Sequence, residues 1–290
     1  MAQTINTNLV SLNAQRNLST SQSALSTSMQ RLSSGLRVNS AKDDAAGLAI
    51  AERMNSQLLG MNVAMRNAND GISLAQTAEG ALGKVGDMFQ RMRELAVQAA
   101  NGTNSSADRT SLNEEYSQLA REVTRTLGGT QFNGQNVLAT TNASTFQIGA
   151  NAATDVNQIS VAGFAWTAAT GISAIVGSLV TIVATGPVLQ IAGTDGSAAL
   201  TAMGAIDTAI NTINSQRGTF GAVQNRFENV VANLMVNSEN QAAARGRIMD
   251  ADYAAETANL SRASILQQAG NAMVAQANQL PQQVLSLLKG

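Results

Sequence analysis

Leucine and methionine return every seven residues near both ends of the chain. Leu18, Leu25 and Leu32 form one row, with Met29 and Leu36 four residues after two of them. Leu266, Met273, Leu280 and Leu287 form the other, with Ala277 and Val284 interleaved. A 3-4 alternation lays one apolar seam along a helix, and such a seam must be buried against another helix. The first helix is expected from about Asn6 to Ser34, stopped by Gly35 in the left-handed conformation that glycine accepts. A second is expected from Ala41 to Asn101. Ser40-Ala41-Lys42-Asp43 opens it as a capping-box-like string, and Asp44 also favours a helix N-terminus. Inside it, Leu58, Met65 and Ile72 make one row and Met61, Ala68, Ala75, Leu82 and Phe89 another. A straight helix of that length spans ~90 Å, which implies an elongated molecule.

Ser105-Ser106-Ala107-Asp108 restarts a helix, and Gly128-Gly129 ends it. The pattern then changes. Asn133-Gly134 is a hairpin-type turn, and the segments around Phe146-Gln147-Ile148 and Ile159-Ser160-Val161 read as short strands. After Gly196-Ser197 the helical code returns with Ile206, Ile213, Phe220, Phe227 and Leu234, and a break near Met249-Asp250-Ala251-Asp252 precedes the terminal helix. The fold class expected is mainly α: long coiled-coil-like helices from both ends packed together, with a small β-hairpin and strand region in the middle. The organisation expected is a terminal-helix domain of 1–44 with 250–290, a helical rod of 45–160 with 200–249, and a reduced outer segment, 161–199, that protrudes.

Composition narrows the function. Charged residues are 13% of 290, about half the ~25% usual for a soluble domain. Net charge is −1, which offers no basic field for nucleic acid and little repulsion between copies. Cysteine and histidine are both absent, removing thiolate metal sites, disulfides and the usual general base. The first residues, Met1-Ala2-Gln3-Thr4-Ile5-Asn6, lack the basic and apolar regions of a secretory signal. Two terminal seams on a nearly uncharged chain point to self-assembly.

Other motifs weigh little. Ile172 to Ala192 is long enough to cross a bilayer, but Gly177, Ser178, Thr181, Thr185 and Gly186-Pro187 interrupt it and positive flanks are missing. Gly80, Gly83 and Gly86 lie within the heptad pattern with no preceding strand, unlike a phosphate loop. Asp43-Asp44 and Glu114-Glu115 point ~100° apart on a helix and suit caps or solvated faces better than acid/base pairs. Asn17-Leu18-Ser19 and Asn101-Gly102-Thr103 match a glycosylation pattern common by chance. The seams carry Asn, Gln and Ser on their polar faces rather than the Lys and Arg of membrane-surface helices. No enzyme activity, cofactor, nucleic acid or membrane is expected.

Longer strings are more specific. Arg31-Leu32-Ser33-Ser34-Gly35-Leu36-Arg37-Val38-Asn39-Ser40-Ala41-Lys42-Asp43-Asp44-Ala45-Ala46-Gly47 resembles the N-terminal signature of bacterial flagellins. Gln90-Arg91-Met92-Arg93-Glu94-Leu95-Ala96-Val97-Gln98, Thr130-Gln131-Phe132-Asn133-Gly134, Gly221-Ala222-Val223-Gln224-Asn225-Arg226-Phe227 and Val284-Leu285-Ser286-Leu287-Leu288 resemble flagellin too. The resemblance covers roughly 1–150 and 200–290. It implies a subunit that polymerises with itself into the flagellar filament for motility, located outside the cell after export through the flagellar type III apparatus without a cleaved signal. The implied partners are an export chaperone, the filament cap and hook-junction proteins, a host Toll-like receptor and cytosolic flagellin sensors. Receptor recognition falls by resemblance on Gln90, Arg91, Leu95 and Glu115. Arg91 and Leu95 stand four apart on one helix face, and Glu115 lies at similar height on the returning helix. Terminal-helix packing and polymerisation fall on Leu18, Leu25, Leu32, Leu36, Leu266, Met273, Leu280, Val284, Leu287 and Leu288. Val284, Leu285, Leu287 and Leu288 also match the stretch read by cytosolic sensors. The alternatives are a hook–filament junction protein and an enzyme carried on the flagellum. For the enzyme, residues 130–200 supply only Asp155 and Asp195 as acids.

Overall fold

The computed structural model describes residues 7–166, Ile172, Ile175 and 190–289, with the backbone alone at 154, 155 and 280–289. The elements in chain order are α1 (Leu9–Ser34), α2 (Ala45–Ala100), α3 (Ser106–Gly129), β1 (Gln131–Phe132), β2 (Gln135–Asn136), β3 (Ser144–Gln147), α4 (Thr154–Asn157), β4 (Gln158–Val161), α5 (Ser197–Met249) and α6 (Tyr253–Lys289). The chain is mainly α, as its periodicity requires. It divides into two compact units, Met1–Leu58 with Glu239–Gly290 and Leu59–Ser238.

Local chemistry sets the helix ends. Asn8 caps α1, its side chain accepting from Ser11 N–H at 3.1 Å. Gly35 ends α1 at φ 72°, and its N–H donates to Arg31 O. The second helix starts four residues later than the capping-box reading places it, at Ala45. The Asp43 carboxylate is already engaged, accepting from the N–H of Ser40 at 2.9 Å and the Ser40 hydroxyl at 3.0 Å. That closes a separate turn, and Asp44 becomes the cap by accepting from Gly47 N–H at 2.8 Å. At α3 the expected box is complete, with Ser105 and Asp108 each accepting from the other's backbone N–H. Asn133 at φ 50° and Gly134 at φ 77° form the two-residue turn that joins β1 to β2. Strands β3 and β4 pair antiparallel with Phe146 opposite Ile159.

The second unit holds the main core. From α2 come Ala68, Ala75, Leu82 and Phe89; from α3, Tyr116, Val123 and Leu127; from α5, Ile206, Ile213, Phe220 and Phe227. The rows read from the sequence are therefore the buried faces. Helices α2 and α5 run antiparallel, as the ion pairs Glu79–Arg217 at 2.9 Å and Arg93–Asp207 at 2.7 Å show. Between them Gly71 is required by contact rather than conformation, since a Cβ there would lie 2.6 Å from Phe227 Cζ. Phe227 in turn meets Phe146 edge to face at 5.4 Å, which fastens β3 to the helices.

Phe164, Trp166, Ile172, Ile175 and Ile191 belong to this same core; the rest of 167–189, where the protruding outer segment is expected, lies outside the described residues. The chain's return to α5 is clamped. Buried Arg109 donates through Nε to Ala99 O at 2.9 Å, and through its two terminal nitrogens to Thr194 O and Asn101 O. Gly196 lies so close to the end of α2 that a Cβ would approach Ala100 O to 2.7 Å. Apolar side chains are stabilised by burial in such a core. Among the described residues no helix is long and apolar enough to cross a membrane, and most of 172–192 falls outside them.

Candidate functional site, the terminal helix pair

The first unit is organised by α1 and α6, which pack along their lengths in antiparallel fashion. Near one end Asn8 Nδ2 donates to Ala277 O and the Ser11 hydroxyl donates to Asn278 Oδ1, both at 2.7 Å. Midway Gly270 admits Leu18, whose Cδ1 would be 3.2 Å from a Cβ at 270. At the other end Arg31 pairs with Glu256 at 3.0 Å, and the Tyr253 hydroxyl donates to Leu32 O. Backbone bonds from Ala251 N–H to Gly35 O and Arg37 N–H to Met249 O close that end.

On α1 the face turned to α6 is Ser11, Ala14, Leu18, Ser21, Leu25, Ser28 and Leu32, all buried or half-buried. Leu18, Leu25 and Leu32 thus sit where the heptad reading puts them, and Leu36 packs on a small cluster of Val38, Ala51 and Met249. On α6 the matching face is Glu256, Leu260, Ala263, Gln267, Gly270, Val274 and Ala277. Leu266 and Met273 are not part of it. They stand 51% and 64% exposed, with Ile265 beside them. The correction has a steric cause: large leucines on α1 seat best over Ala263 and Gly270, so α6 turns its small face inward. The side chains of Leu280, Val284, Leu287 and Leu288 lie outside the described residues. On α1 the outward residues include Leu9, Val10, Leu12 and Met29, each exposed. Unpaired apolar side chains along two terminal helices mark an interaction surface.

Glu256 is the charge buried in this pair, its side chain 8% exposed. Asn259 Nδ2 donates to it at 2.9 Å, and that bond, then Arg31, holds its carboxyl below the usual range. A depressed native value means that its stabilisation is full above the unfolded-chain value of about 4.3. It is lost as pH falls through the lower native one. Acid should therefore loosen α1 from α6 below about pH 4, and Glu256→Gln should flatten that part of an acid titration followed by far-ultraviolet circular dichroism. An unchanged titration would remove Glu256 from the account.

The second predicted group lies in the other unit. Arg91 pairs with Glu115 at 2.8 Å and with Glu94 at 2.9 Å, all exposed, and these carboxylates, Glu94 first, raise the guanidinium pKa. Gln90 is exposed beside it. Leu95 is not on that face. It is 1% exposed, within the buried run Phe89, Met92, Leu95, Ala96 and Ala99. The i,i+4 offset from Arg91 is enough to carry it over the edge of the buried stripe. Sequence reading missed the Arg31–Glu256 pair and the small-residue seam; the seven-residue recurrence of Ala263, Gly270 and Ala277 was the available signal.

Long terminal helices paired through a narrow seam, with leucine and methionine left facing outward, define an α-helical structural subunit of a self-assembling polymer. Two family models match the chain: the bacterial flagellin N-terminal helical region over residues 5–143 and the C-terminal helical region over residues 203–288. The chain is 43% identical to flagellin from Halalkalibacterium halodurans, covering 98% of this chain and 99% of that one. It is equally identical to flagellin from Bacillus subtilis and to the flagellar filament 33 kDa core protein of Treponema phagedenis, each with 98% and 99% covered. A solved hook-associated protein of the flagellum from Vibrio parahaemolyticus shares the fold alone, with TM-score 0.57 and 11% identity over 72% of this chain and all of that one. The chain belongs to the bacterial flagellin family and is a structural subunit of the flagellar filament.

Proposed function

We propose that this chain polymerises through the outward faces of α1 and α6, with Leu266 and Met273 seated against a second copy. The observation that carries this is their exposure on a helix whose other face is already occupied by α1. Leu280, Val284, Leu287 and Leu288 extend the same helix and are assigned to the same assembly role. Leu18, Leu25, Leu32 and Leu36 act inside the subunit, holding α1 in place so that both outward faces are presented together. Heterologous contacts of this kind do not close and so generate helical filaments. Export through the flagellar apparatus without a cleaved signal, with a chaperone to cover the terminal seams beforehand, follows from the same reading. The growing filament would meet cap and hook-junction proteins at its ends.

Recognition by a Toll-like receptor belongs to this reading at Gln90, Arg91 and Glu115, supported by the exposed ion pair that holds α2 and α3 side chains together. Leu95 would act from beneath, by fixing the helix. Cytosolic sensors would read the Val284–Leu288 stretch of a released subunit.

The test is negative-stain electron microscopy after salt-seeded polymerisation of the full chain and of a truncation lacking 251–290. Long tubes from the full chain and none from the truncation are expected. Tubes from both would move the assembly contacts to the second unit.

A further inference from the structure

The α1–α6 seam has a feature that its apolar content does not explain. Contacts set Leu18 against Gly270, Arg31 against Glu256 and Ser11 against Asn278. Continuing that antiparallel register puts Leu25 level with Ala263 and Ser21 level with Gln267. Leu18 and Leu25 thus stand opposite small residues, and this fit survives a slip of one heptad. Sliding α6 by seven residues puts Leu32 over Ala263, Leu25 over Gly270 and Leu18 over Ala277, leucine again on small residues. Packing alone therefore leaves two registers close in energy, because a heptad repeat is self-similar at that step.

What differs is the polar content at the two ends: a slip would break the Ser11–Asn278 bond at one, and the backbone bonds of Ala251 to Gly35 and Arg37 to Met249 at the other. The charged contact lies at the second end. In the slipped register Arg31 would face the neighbourhood of Ser264, and Glu256 would lose the guanidinium that faces it. Stranding a charge is costly, whereas a satisfied buried pair adds little net stability; such groups are best attested as devices that fix register.

We propose that the Arg31–Glu256 pair, with Asn259 holding the second carboxylate oxygen, is the register pin of the terminal helix pair. It selects between two alignments that are alike in the seating of the leucines. The adjoining backbone bridge between Leu36 and Asp250 then forms on the aligned helices. Register decides which outward residues of α1 stand beside Leu266 and Met273, so the pin sets the surface offered to the next copy. This rests on the assembly reading above.

The absence of natural cysteine makes the test clean. Two reporters are introduced into the full chain, Ser21→Cys with Gln267→Cys for the observed register and Ser21→Cys with Val274→Cys for the slipped one. Each is polymerised, oxidised and mapped by peptide mass. With Arg31 and Glu256 intact, the first reporter should cross-link and the second should not. With Arg31→Leu and Glu256→Leu, the slipped cross-link should rise severalfold. The exchange Arg31→Glu with Glu256→Arg should restore the observed register, which a purely structural loss would not do. A leucine variant that cross-links only in the observed register overturns the proposal, and so does a charge exchange that slips as much as the leucine pair. Absence of filaments from the intact reporters would instead count against the assembly reading, since cross-linking within a chain is read separately.

Discussion

A chain carrying Leu266→Asp and Met273→Asp is expected to fold and to form no filaments. Both side chains are exposed in the subunit, so the substitutions remove no internal contact and should leave its helix content unchanged. In a polymer the position reverses. A fully buried Leu or Met side chain contributes about 1.5–3 kcal/mol, and the contact repeats in every copy. A carboxylate at the same place loses that term and adds the cost of an unpaired charge taken from water. Circular dichroism checks folding, and electron microscopy or light scattering after seeding checks assembly. Normal filaments from this variant would place the interface elsewhere.

The largest expected effect on stability is at Phe227→Ala. The ring is fully buried, touches Phe146 edge to face and fills the space over Gly71. Its removal leaves a cavity where α2, α5 and β3 converge, and such changes cost about 3–5 kcal/mol. Thermal unfolding monitored on the second unit should show a correspondingly lower midpoint, and β3 amides should lose hydrogen-exchange protection first. Gly71→Ala approaches the same place from the other side, forcing a methyl against the ring. A small shift in the midpoint for Phe227→Ala would mean that the β3–β4 pair is held chiefly by its contacts with α2. Asn67 Nδ2, which donates to Gln147 O at 2.9 Å, would be the first of those to examine.

Helix spans, caps and the hairpin were legible because each depends on residues within a few positions. Gly35 stops α1, Ser105 with Asp108 opens α3, and Asn133-Gly134 turns β1 into β2. The one local misreading, at Ser40 and Asp43, arose where two acids compete for one cap and the first is taken by a separate turn. The rows on α2 and α5 were legible as well, since the heptad rows of these helices supply the buried core residues such as Leu82, Phe89, Ile213 and Phe220.

The terminal helix was harder. Its heptads carry two usable faces, one of Leu266 and Met273 and one of Ala263, Gly270 and Ala277. Hydropathy favours the first, whereas fit against the leucines of α1 favours the second. A seam of small residues is not conspicuous until its partner is placed beside it. Leu95 shows the same limit at one residue, because the edge of a buried stripe moves with whatever packs against it. The middle segment shows it at larger scale: nothing local to Trp166 or Ile191 says that they enter the core of Leu59–Ser238.

The amino-acid sequence by itself determined where the helices run, how they end, that the chain has no histidine or cysteine chemistry, and which family its strings match. Local hydrogen bonding and a 3.6-residue period suffice for the helices. Only the tertiary structure decided which face of α6 meets α1, which carboxylate is buried and paired between them, and which apolar residues are left for another copy. Those choices depend on shape and charge brought together from residues more than two hundred positions apart, such as Arg31 and Glu256.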